Sequence, residues 1–298
     1  MIIDAHAHVY AFPKLICKGS TTPFMSAEEQ IAIMDVQGID KTVILPLISN
    51  ETFAEPQSFG EVLYICKQYP DRFIPFCNLD PRLALRLDMT TVDDYLYILE
   101  QYKNHGAKGL GELVTRIYWN DPSMVMMLQA CEILDLPVLF HTITPDVNTY
   151  GVIDHPELPL LEESLQRFPK LNFIGHSQGF WGWISGEHYS QNKDPYPETP
   201  VKPNGRVGQL LDKYPNLYAD ISAGSGLFAL QRDLNHAWKF LEEFQDKLLL
   251  GIDRCLAKDE HLTQVQWLTQ ARNDGNITPE IFEKIAWNNT NKLLKLGL

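Results

Sequence analysis

No stretch of eighteen apolar residues occurs anywhere in the chain, so no membrane-spanning helix is expected. Nor does a basic segment followed by an apolar core open it. A signal peptide is therefore not expected, and the cytoplasm is the expected location. Positive charge is scarce: 25 Lys and Arg stand against 38 Asp and Glu, for a formal net charge of −13. Such a surface repels phosphate backbones, which speaks against nucleic-acid binding. Cysteines are few, odd in number and scattered (Cys17, Cys66, Cys77, Cys131 and Cys255), with no Cys-x-x-Cys pair. That is the pattern of reduced thiols, not of a disulfide framework or a structural zinc knot. No Gly-rich phosphate loop follows the first apolar run, and no internal repeat, linker or composition shift marks a second unit. A single domain spanning residues 1–298, 45% hydrophobic, is the reading; that is enough chain for one large core.

What is present is an alternation. Ile2-Ile3-Asp4-Ala5-His6-Ala7-His8 reads as a short strand. A helix then starts at Ser26, with Glu29 completing a capping box and Gly38 as its C-terminal cap. Further apolar runs follow at 41–47, 73–78, 107–113, 137–141, 171–176, 217–221 and 247–253. Helical stretches separate them at about 59–69, 91–105, 122–135, 157–168, 204–214 and 235–245, and two more close the chain at about 258–273 and 279–296. Strands alternating with helices imply parallel pairing through right-handed crossovers. Eight such units in about 250–300 residues predict an α/β fold of the (β/α)8 TIM-barrel type. The longest irregular stretch, 177–203, is an insertion after strand six.

The chemistry-bearing residues stand at strand ends. His6 and His8 are two apart, so on a strand they aim at one point. Glu112 ends strand four, His141 strand five, His176 strand six and Asp253 strand eight. In a barrel these C-terminal ends share one mouth, and imidazole with carboxylate is a donor set for zinc, manganese, iron or nickel. Zinc, as one or two ions, is the first expectation. Lys108 shares a strand with Glu112 but lies four residues deeper, so it is expected inside the barrel.

These motifs resemble the amidohydrolase superfamily, and more closely the amidohydrolase-related group that contains aminocarboxymuconate-semialdehyde decarboxylase. Asp4-Ala5-His6-Ala7-His8, Phe140-His141, Ile174-Gly175-His176-Ser177 and Gly251-Ile252-Asp253 carry the likeness across essentially the whole chain. The resemblance implies that His6, His8 and Asp253 hold a metal with His141. It implies that His176 either ligates a second metal or polarises the substrate. Glu112 resembles the strand-four glutamate that bridges two metals in some members; the other reading is a carboxylate that orients a ligand histidine.

The implied activity is metal-dependent hydrolysis. Metal-bound water attacks an amide, ester or lactone of a small organic substrate, Asp253 moves the proton and His176 stabilises the oxyanion. The alternative on the same scaffold is a nonoxidative decarboxylase of a small carboxylic acid, and a third reading is a metal-binding barrel without catalysis. A substrate carboxylate would need a cation, for which Arg116 and Arg254 are the candidates. Phe180, Trp181, Trp183 and Tyr189 in the insertion are expected to line the pocket, to pack the insertion onto the barrel, or to form a homodimer contact.

Overall fold

The computed structural model describes residues 1–13, 22–52, 56–83, 89–259 and 261–298; Cys17 lies outside them. Among the described residues, eight parallel strands build the barrel in chain order: β1 (Ile3–Ala7), β2 (Lys41–Ile44), β3 (Phe73–Pro75), β4 (Leu110–Leu113), β5 (Val138–Ile143), β6 (Phe173–His176), β7 (Leu217–Asp220) and β8 (Leu248–Leu249); three two-residue strands, Val9–Tyr10, Met25–Ser26 and Val152–Ile153, lie beside them. One sheet pairs β1-β2-β3 and another pairs β8-β7-β6-β5-β4. Backbone hydrogen bonds join the two into a closed barrel. Cys77 N–H donates to Gly109 O (2.9 Å) and Lys108 N–H to Pro75 O (2.9 Å), linking β3 to β4. Ala5 N–H donates to Leu250 O (2.8 Å) and Asp253 N–H to His6 O (2.7 Å), linking β8 to β1. Closure satisfies every strand's edge, and parallel strands buried on both faces explain why each reads as a nearly continuous apolar run.

The interior is packed by Ile3, Val43, Ile74, Leu139, Ile174 and Leu249, with Leu293 and Leu294 from the C-terminal segment in the same cluster. A larger core lies between strands and outer helices. The helix Ala27–Gln37 begins at Ser26, whose side chain accepts from Glu29 N–H while Glu29 reaches back to Ser26 N–H. It ends at Gly38 with φ +72°, the left-handed conformation glycine tolerates. Pro122 opens the helix Pro122–Leu134, as its missing N–H permits.

Three local expectations are corrected. Residues 222–234, between the expected strand 217–221 and the expected helix 235–245, hold a further helix, Ala223–Gln231. Its small residues serve close packing: a Cβ on Gly226 would stand 2.5 Å from the carbonyl carbon of Ile221. The insertion after β6 begins as a short helix, Gln178–Trp181, and continues into the 3-10 turn Gly182–Ile184. Lys108 is partly exposed, not enclosed by the barrel. Among the described residues no helix is long and apolar enough to cross a membrane.

Candidate metal centre

β1 changes register against β2 between Asp4 and Ala7. Such a bulge reverses which parity faces inward. Ile3 and Ala5 sit in the interior cluster, whereas Ala7 packs with the outer core. His6 and His8 then both point into the mouth. Their Nε2 atoms stand 3.2 Å apart. Glu112 Oε2 lies 3.6 Å from His6 Nε2 and 3.2 Å from His8 Nε2. Asp253 Oδ1 lies 3.4 and 3.2 Å from the same two atoms. Bonds of 2.0–2.2 Å to a tetrahedral ion require donor spacings of about 3.3–3.6 Å. The donor set fits a divalent cation.

The outer face of each ring is also settled. His8 Nδ1 donates to the carbonyl of Leu45 (2.8 Å), and His6 Nδ1 donates to Asp220 Oδ2 (2.7 Å). With Nδ1 carrying the proton, each neutral ring turns an Nε2 lone pair toward the centre. Ser222 Oγ donates to Asp220 Oδ2 (2.6 Å), so it accepts from His176 Nδ1 (2.9 Å). His176 therefore also presents a lone pair. Of the two roles expected of His176, that lone pair suits the ligand and not the oxyanion donor.

His141 sits elsewhere than the resemblance implied. Its Nδ1 is 2.9 Å from Glu112 Oε1, and His176 Nε2 is 3.7 Å from the same oxygen. Asp253 Oδ2 lies 3.5 Å from His176 Nε2. Glu112 and Asp253 thus stand between two donor groups, His6 with His8 and His141 with His176, each giving one oxygen to either side.

The cluster's electrostatics ask for positive charge. Burial works against protonating His6 and His8, yet the neighbouring carboxylates prevail. Asp253, Asp220 and Glu112 raise the His6 pKa well above 6.5, and Asp253 and Glu112 hold His8 up at about 9. Burial would raise Glu112 and Asp253, but the histidines around them take both below the usual carboxylate range. Burial lowers His141 despite Glu112 beside it. A divalent ion bound there would supply the charge that protons on His6 and His8 otherwise provide.

Backbone turns place these groups. Asp253 has φ +57° and Ser177 φ +90°, left-handed conformations that cost energy outside glycine. Asp253 is held there by its N–H bond to His6 O. Asp4, fully buried, accepts from His6 N–H (3.0 Å) and Ile252 N–H (2.9 Å), clamping β1 to the chain that carries Asp253.

Above the cluster opens a cavity of about 420 Å³, of small-molecule size. His141, His176 and Asp253 reach it, and Tyr150, Gln178, Gln191, Tyr196, Ser225 and His261 contribute to its wall. The structure does not bring Arg116, Arg254 or Trp181 to that wall. Trp181 is 1% exposed, donates to Asp220 O (2.8 Å) and packs on Phe180 and Phe240. Phe180, Trp183 and Tyr189 are buried likewise, so the insertion's aromatics pack it down. Arg254 is buried beside Asp253, and its Nη1 donates to Ala257 O (3.4 Å). Arg116 donates to Val147 O (3.0 Å) and braces the loop after β5. Sequence reasoning missed Asp220 and Ser222, although Asp220 stands at a strand end like the other site residues. It also missed Gln178, Gln191 and Tyr196, which carry no motif.

The family model described as Amidohydrolase matches residues 3–296. No curated protein matches the chain. Among solved structures, an uncharacterised TIM-barrel protein from Bordetella bronchiseptica is similar at 19% identity and a TM-score of 0.64, covering 99% of this chain and 98% of that one. A probable 2-pyrone-4,6-dicarboxylic acid hydrolase from Acinetobacter baumannii, solved with citric acid bound, gives 16% identity and 0.58 over 99% of both chains. A dihydroxybenzoic acid decarboxylase from Polaromonas, with manganese and 2-nitroresorcinol bound, gives 18% and 0.51 over 91% of this chain and 86% of that one.

Proposed function

Because the chain belongs to the amidohydrolase family, we propose that it is a metal-dependent hydrolase of an amide, ester or lactone in a small organic molecule. The observation that carries this is the donor set His6, His8, Glu112 and Asp253, its spacings matched to a divalent ion, under a cavity of small-molecule size. A divalent ion held there lowers the pKa of coordinated water toward about 7 and polarises a carbonyl. Zinc is the expected ion, because His and carboxylate donors suit it, with manganese as the alternative.

The chain's own groups complete the chemistry. Asp253 is ionised, touches the cavity and lies beside His176, so it accepts the proton of the attacking water and returns it to the leaving group. Burial, then the carboxylates of Glu112 and Asp253, push the Tyr150 phenol up, so it stays protonated as a donor within the cavity. Its ring packs edge-on against His141 at 4.9 Å between centroids, which holds it over the cluster. His141 and His176 both lie beside Glu112 Oε1 and, with that carboxylate, would hold a second ion if one binds.

The test is metal content per chain by mass spectrometry, with hydrolysis of a panel of lactones and aryl esters, on wild type and Asp253→Asn. About one or two ions per wild-type chain, with turnover reduced at least about 1,000-fold in Asp253→Asn, is expected. Folded wild-type protein that takes up no metal, or that releases carbon dioxide from hydroxybenzoates while leaving every ester and lactone intact, defeats the proposal.

A further inference from the structure

The insertion after β6 contributes Gln178, Gln191 and Tyr196 to the cavity wall, and the amide of Gln191 is fixed in orientation. Gln191 is buried, at 7% exposure. Its Oε1 accepts from the backbone N–H of Thr144, just past β5 (3.2 Å). A backbone N–H only donates, so the amide cannot turn round, and Nε2 is the end that carries a donor for the cavity that Gln191 lines. Beside it, Gln178 Nε2 donates to Tyr196 Oη at 2.6 Å. That pair puts two more polar residues on the same wall. A cavity of this volume is about 9 Å across, so one small molecule reaches both this wall and the His/carboxylate floor.

We propose that Gln191 is a specificity-determining residue, whose fixed amide donor grips an uncharged oxygen acceptor, a carbonyl or ether oxygen, on the substrate remote from the bond that is cleaved. This rests on the hydrolase reading and, because Asp253 and Asp259 but no Lys or Arg line the cavity among the described residues, narrows it to neutral, oxygen-bearing esters, amides and lactones. The physical reason is that an uncompensated buried donor is costly. A substrate lacking the acceptor strips water from Nε2 and returns nothing, whereas one that carries it is accepted without reorganisation.

Three γ-butyrolactones that differ at one ring carbon, bearing acetyl, isopropyl or carboxylate, are the probes. Metal-supplemented wild type is expected to favour acetyl over isopropyl by about ten-fold or more in kcat/KM. Gln191→Glu keeps an oxygen for Thr144 N–H but replaces the donor with a second acceptor, so the preference is expected to collapse toward one. Gln191→Leu, its folding checked by thermal melting, is expected to lose the preference as well. An unchanged ratio in Gln191→Glu, or a wild-type preference for the carboxylate, overturns the inference and leaves the hydrolase reading intact. If wild type hydrolyses none of the three, that counts against the hydrolase reading. The inference then stands or falls on calorimetric affinities of wild type and Gln191→Glu for the acetyl and isopropyl compounds, with the same ratios expected.

Discussion

Asp220 is fully buried, yet it decides which nitrogen of His6 is free. It accepts from His6 Nδ1, from Ser222 Oγ and from Ser222 N–H. Through Ser222 it also orders His176, so one carboxylate sets two of the ring tautomers at the centre. Gly251 makes the room: a Cβ there would stand 2.2 Å from Asp220 Oδ1. Groups that orient ligands from behind typically carry 10–100-fold in affinity. Asp220→Asn is expected to weaken zinc binding by about that factor, with the circular dichroism spectrum unchanged, as read by competition with a colorimetric chelator. Native affinity in that variant would mean that His6 needs no partner behind it. Such a residue is hard to recognise in a sequence, because its function is a bond to a residue 214 positions away.

At the scale of elements, local signals were read well where the deciding contacts are local. The capping box at Ser26 and the first-turn Pro122 mark helices that form as expected, because each cap bonds within its own turn. The helix Ala223–Gln231 was missed because its glycines answer to packing against Ile221 and not to helix propensity. Between elements, Glu51 and Arg82 tie the loop after β2 to the loop after β3. Arg82 Nη1 and Nη2 donate to the two Glu51 oxygens at 2.7 and 2.8 Å. That pairing holds Glu51 at about 2, below its ordinary 4.5. Between those values the folded state binds fewer protons than the unfolded one. The stabilisation is therefore present above about pH 4.5 and lost as pH falls toward 2. In urea unfolding from pH 3 to 6, Glu51→Gln is expected to flatten the loss of stability on the acid side. A slope identical to wild type would show that the pair contributes nothing.

For the whole molecule, what matters is closure. The seam between β8 and β1 brings the last strand's Asp253 against the first strand's His6. The C-terminal segment reinforces the barrel next to that seam. Leu250 N–H donates to Ile285 O (3.0 Å), Asn289 Nδ2 donates to Leu248 O (2.8 Å), and Leu293 and Leu294 join the interior cluster. Leu293→Ala, at 8% exposure, is expected to cost about 2–3 kcal/mol in urea unfolding, since it opens a cavity in the barrel interior. A cost below about 0.5 kcal/mol would mean that the segment is not part of the barrel's core.

Strand and helix periodicity, carried by contacts a few residues apart, was enough to specify a (β/α)8 barrel and to put His6, His8, Glu112, His141, His176 and Asp253 at its strand ends. The sharing of that set was decided only in three dimensions. The bulge in β1 turns two histidines inward, and Glu112 comes to stand between His6 with His8 on one side and His141 with His176 on the other. The closed seam brings Asp253 to both groups. Arg116, Arg254 and Trp181 were placed by chain proximity and fell outside the cavity, while Gln191 and Tyr196 reached it from a stretch without periodicity. Local pattern determines which face a residue occupies along its own element. Distances between groups far apart in the chain follow from register, closure and packing, which no local pattern encodes.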